Sequence, residues 1–157
     1  MEDMLKFNRA IDEMLVNTKS SKRNKAVVKA QAAKENFRQI VELDIDTPLL
    51  EMKNYPKYSS LPSQITSEIE AIRHIYFHSI DAMVTELAIN KENNQKHPEL
   101  FLDTVANRTE IILQNAKMVK PRVDAVYRSF RNECRTTRNE YRTTPSMSKN
   151  DDECLLI

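Results

Sequence analysis

Five arginines, Arg128, Arg131, Arg135, Arg138 and Arg142, recur at steps of 3, 4, 3 and 4 residues. On a helix that spacing places them on one stripe, because side chains three and four apart are surface neighbours. Only Glu133 and Glu140 lie among them to offset the repulsion. Arginine carries a planar, always-charged fork that matches carboxylate or phosphate in two contacts at once. An anionic contact is therefore expected: an acidic partner helix first, an anionic membrane second. Nucleic acid is the least favoured, since no aromatic platform is expected on the stripe and the whole chain carries only +1. The ordinary alternative is a solvated helix face, although such faces mix their charges.

The second candidate is the final tetrapeptide, Cys154-Leu155-Leu156-Ile157. It resembles the C-a-a-X prenylation signal, with a thiol three residues from the carboxylate and two aliphatic residues between. The resemblance covers four residues only. It implies a lipid on Cys154, and the bulky last residue points towards the geranylgeranyl class. One prenyl chain holds a protein to a membrane only marginally, and a basic segment is the usual second contribution. The arginines upstream fit that part, whereas Asp151-Asp152-Glu153 sets three negative charges against it. The competing readings are a plain apolar end and, further behind, an acidic dileucine sorting signal.

Catalytic and metal chemistry have little else to stand on. His74 and His78 are spaced i, i+4, with Glu70 and Asp81 about a turn to either side. Histidines at that spacing can share a metal ion, yet they fall opposite Ile69 and Ile72, and a solvated polar face is the preferred reading. Cys134 belongs at the edge of an apolar seam, where a small buried thiol is expected. The carboxylates at 151–153 lie in a tail that cannot hold a fixed geometry. No enzyme activity and no cofactor are expected. The run KSSKRNK at 19–25 is similar to nuclear localisation and phosphate-contact runs, which are also common in solvated linkers.

These residues need elements to position them, and composition says which kind. The chain has 157 residues, 30% charged and 40% hydrophobic, enough for one domain with a modest core. It contains no glycine, where average usage would give about eleven. Left-handed turns are then costly, so tight hairpins and phosphate-cradling loops drop out. An all-α fold follows. Charge is uneven: from Lys117 to Lys149 nine basic residues face three acidic ones, while the rest of the chain is net acidic. Two cysteines make no disulfide framework and have no zinc-like spacing. The N-terminus MEDMLKF lacks an apolar signal core, Glu2 rules out myristoylation, and no apolar run approaches the ~18 residues of a membrane span. An intracellular, cytoplasmic protein is expected, with membrane association through the tail or a nuclear location left open.

Apolar spacing outlines the helices. Met4, Phe7, Ile11 and Met14 form one stripe and Ala30, Ala33, Phe37 and Ile40 another. Their phases do not match across 17–25, which favours a break there over one long helix. Residues 44–62 contain three prolines and read as a linker, with a short helical turn over 48–53 after Thr47-Pro48. A helix is predicted from about Pro62 to Asn90, then a second linker at 91–97, then a helix from Pro98 to about 142. In that last helix Leu102, Val105, Thr109, Ile112, Ala116, Val119, Val123, Val126 and Phe130 keep a seven-residue repeat. Such a seam suits a coiled coil or a long bundle helix, and its apolar members are expected to meet a partner or a second copy. Pro121 should kink this helix rather than reverse it, at a cost of ~3 kcal/mol. The expected whole is an elongated bundle or coiled coil of three to four helices, the C-terminal one longest. Its parts are an N-terminal helix or hairpin (1–43), the linker (44–62), two long helices (63–142) and a disordered tail (143–157). The expected function is a non-catalytic interaction module: an adaptor, a tether or a subunit of a larger complex.

Overall fold

The computed structural model describes residues 2–141, with side chains over 4–136. Among them there are six α-helices and two single 3₁₀ turns, and no strand. The helices are α1 (Glu2–Asn17), α2 (Arg23–Leu43), α3 (Asp46–Lys53), α4 (Ser63–Ile89), α5 (Lys91–Lys96) and α6 (Pro98–Tyr141). The all-α class holds, but six helices replace the three or four expected. The short helical turn expected over 48–53 is α3, and α5 lies in the stretch 91–97 read as a linker. Residues 44–62 contain α3 and bury Ile45, Leu49, Met52 and Tyr55, so this segment supplies core. Residues 91–96 close a helical turn-and-a-half with no buried residue, which apolar periodicity cannot announce. No described helix is long and apolar enough to cross a membrane.

The chain divides into two compact units, each assembled from two separate stretches. Unit 1 comprises residues 1–43 and 75–117. Within it α1 and α2 form an antiparallel pair, since Phe7 stacks on Phe37 at 6.0 Å and Lys34 reaches Asp12 at 2.5 Å. The break between them is the 3₁₀ turn Ser20–Lys22. α2 runs parallel to the first half of α6, with Lys22–Glu99 and Lys29–Asp103 ion pairs at 3.2 and 2.9 Å. The end of α4 lies antiparallel to α6, joined by Arg108–Glu86 at 2.7 Å and an Asn115 amide donating to Ser79 Oγ at 2.7 Å. Thr109 is fully buried in the seam of α6. Its hydroxyl donates to the Ala106 carbonyl at 3.0 Å and accepts from the Asn36 amide at 3.1 Å. A buried hydroxyl would otherwise cost its desolvation, and here both of its roles are filled.

Among the described residues, unit 2 comprises 44–74 and 118–141. It opens at Asp44, whose φ of 50° is the left-handed conformation that commonly ends a helix. Glycine usually takes that position; with none in the chain, aspartate does. α3, the start of α4 and the end of α6 meet around Tyr55 and Phe130, whose rings are edge to face at 5.2 Å. Phe130 is completely buried, and burying such a ring contributes roughly 1.5–3 kcal/mol.

The seam of α6 is consumed inside the chain. Leu102, Val105, Ile112, Val119, Val123, Val126 and Phe130 are all at most 5% exposed. Their side chains are covered among the described residues, and the large apolar side chains that α6 exposes are Leu100, Ile111 and Met118, outside that seam. The heptad phase was real, but a bundle helix and a coiled-coil strand share it. Pro121 lies inside α6, with helix on both sides. It is solvent-exposed, as is Lys117, whose carbonyl loses its bond to the missing N–H and can be hydrated instead.

Candidate functional site

The rotation of α6 in unit 2 is fixed by what it buries. Val119, Val123, Val126, Phe130 and Cys134 point inward, and every other side chain takes its place relative to them. Arg128 and Arg135 then fall on the outer side and are exposed. Seven residues apart, they stand one above the other, about 10 Å along the axis. Neither forms an ion pair among the described residues. Arg138 lies within α6, but its side chain is outside the described residues, as are Arg142 and Cys154 altogether.

Arg131 behaves differently. Its guanidinium lies 3.6 Å from the Glu51 carboxylate of α3, and both side chains are largely covered. The Tyr127 hydroxyl donates to that same carboxylate at 2.6 Å. Burial and then this hydrogen bond push the Tyr127 hydroxyl above its ordinary pKa. Arg131 is thus part of the scaffold, and it divides the described part of the predicted stripe into an inner residue and two outer ones. Position 131 is next to the seam residue Phe130 and three before Cys134, on the flank where a neighbouring helix is met. That phase was visible in the sequence; the partner, Glu51, was hidden in a segment read as linker.

A second pairing missing from the sequence reading joins α6 to α4. Arg122 grips Glu68 with two hydrogen bonds, one from Nε at 3.1 Å and one from its terminal nitrogen. The Arg122 hydrogen bonds hold the Glu68 carboxyl below the usual carboxylate range. Asp124 is engaged by Lys120 at 3.0 Å. Glu68 and Asp124 are therefore engaged by other cations, and Arg128 and Arg135 are exposed to water.

Beside them runs an open groove of about 800 Å³. One wall is α6 at Ala125, Ser129, Asn132 and Glu133; the other is the start of α4 at Pro62, Gln64, Ile65 and Glu68, the last held by Arg122. Arg128 stands one turn from both Ala125 and Asn132, and Arg135 one turn beyond Asn132. The cations thus edge a groove whose walls are mostly uncharged but include the Glu68 and Glu133 carboxylates. On α4, in contrast, His74 and His78 are both exposed. Among the described residues no group of three or more His, Cys, Asp or Glu side chains is placed to hold a metal ion. The basic run at 19–25 straddles the 3₁₀ turn, where Lys22 is paired with Glu99. Comparison with known protein families, curated proteins and solved structures gives no match to this chain.

Proposed function

We propose that the chain is a non-catalytic helical interaction module that takes an acidic partner helix along the outer side of α6 in unit 2. The observation that carries the reading is the division among the arginines: Arg131 and Arg122 are spent on Glu51 and Glu68, whereas Arg128 and Arg135 remain exposed beside a groove. A helix lying in the groove would meet both cations from one side, with its own acids spaced seven residues apart. Arginine at both positions suits paired contacts with carboxylate.

The test is the affinity of the purified chain for a helical peptide with glutamates at seven-residue spacing, measured across a salt series. Replacing both Arg128 and Arg135 with Glu should reduce binding by about tenfold or more at low salt, since like-charge juxtaposition is costly. Helix content and thermal midpoint should not change. Equal binding by the double variant would overturn the reading, and binding only to vesicles containing anionic lipid would move it to a membrane surface.

A further inference from the structure

Unit 1 contains a cavity of a different character. Its volume is about 390 Å³ and it lies among α1, α4, α5 and α6. Phe7, Met14, Leu87 and Phe101 give it apolar walls, with Ala10 and Ala88 as the small residues that leave the space open. Pockets of roughly 300–1,000 Å³ with apolar walls and a few polar groups are typical of small-molecule sites. An apolar cavity of this kind has little to offer water, so burying an apolar chain there is favourable.

Lys91, Asn94 and Gln95 of α5, spaced i, i+3 and i+4, put polar groups on one helix face of the lining. Lys6 from α1 and Lys91 from α5 line the cavity together with Glu13, and all three are exposed. The Lys91 cation, beside the Asn94 and Gln95 amides on the same face, favours an anionic head at that point. The wall carrying Lys91 is α5, six residues with none buried. It is the least anchored helix of its unit, tied back by the Asn94 amide donating to the Leu87 carbonyl at 3.4 Å. A short wall without core residues can shift and give a ligand a way in.

We infer that this cavity binds a medium-chain aliphatic carboxylate, with the chain between Phe7, Leu87 and Phe101 and the carboxylate at Lys91. At about 390 Å³ the space falls in the range of small-molecule sites, and decanoate is the probe of that class. The site is independent of the acidic-partner surface: it lies in unit 1 and uses none of the α6 arginines.

The experiment is titration calorimetry of the full chain with decanoate, decanol and decylammonium. Saturable one-to-one binding of decanoate is expected, with decanol weaker by about threefold to tenfold, the worth of one exposed charge contact. Ala10→Phe should abolish binding by filling the cavity. Lys91→Glu should weaken decanoate and leave decanol unchanged, and circular dichroism will show that both variants are folded. Should Ala10→Phe fail to fold, Ala88→Phe fills the same space from α4. No saturable binding of decanoate, equal binding of all three ligands, or full binding by the folded filled variant would each overturn the assignment.

Discussion

The Arg131 guanidinium and the Glu51 carboxylate are 3.6 Å apart, and the Tyr127 hydroxyl holds the same carboxylate at 2.6 Å. A cation from α6 and an anion from α3 are thereby locked at the edge of the unit 2 core. Arg131→Ala should destabilise the protein by about 1–2 kcal/mol, because it leaves a mostly covered carboxylate with one partner fewer. Arg128→Ala should stay within about 0.5 kcal/mol of the parent, as surface changes usually do. Urea denaturation of the two variants checks both values, and equal losses would show that the stripe has no inner and outer members.

Thr109 and Asn36 make a second test of a buried pair. Thr109→Val removes the hydroxyl that accepts from the Asn36 amide and should cost about 1–2 kcal/mol. Pairing it with Asn36→Leu removes both polar groups and should recover most of that loss. The coupling, read from a double-mutant cycle, should be at least about 0.5 kcal/mol.

The left-handed residue Asp44 predicts a gain. Its φ of 50° suits glycine better than any residue with a Cβ. Asp44→Gly should stabilise by about 0.5–1 kcal/mol, the relief of backbone strain exceeding the added entropy of the unfolded chain. A fall in thermal midpoint would mean that the Asp44 side chain has a role outweighing its strain.

Stability should also fall in acid for a nameable reason. The hydrogen bond from Lys53 holds the Glu70 carboxyl below its usual value of 4.5, and Arg122 does the same for Glu68. Both groups bind protons more weakly folded than unfolded. Their contribution is complete above about pH 4.5 and is lost as pH falls through the depressed folded values. The alkaline side carries the opposite sign: burial and a hydrogen bond to Glu70 push the Tyr58 hydroxyl up to about 12. That contribution is intact below pH 10 and disappears between 10 and 12. Glu68→Gln with Glu70→Gln should flatten the acid slope, and Tyr58→Phe the alkaline one, in midpoints measured against pH.

Most of the helical architecture could be read in advance because apolar spacing states it directly. α6 begins at Pro98, α4 begins just after Pro62, and the break before α2 falls where the two stripes lose phase. What stayed hidden depends on contacts far apart in sequence. Leu49 and Met52 look like residues of a proline-rich connection until α6 is beside them. Arg131 looks like one rung of five until Glu51 meets it. The seam of α6 shows that a helix face can be identified correctly while its occupant, partner or own core, remains undecided by periodicity.

The order of the units along the chain has a consequence for how the protein is made. Unit 1 closes only with residues up to 117, and unit 2 draws its second half from 118 onward. Since α6 begins at Pro98, the residues before it leave the ribosome before either core has its last wall. The α1–α2 hairpin can form early, but Phe101, Leu102 and Phe130 arrive last. The nascent chain therefore cannot mature one unit at a time, and its apolar faces wait together for a single late helix. Such delayed closure leaves surfaces open to aggregation and to chaperones, and it makes α6 the step on which both cores depend.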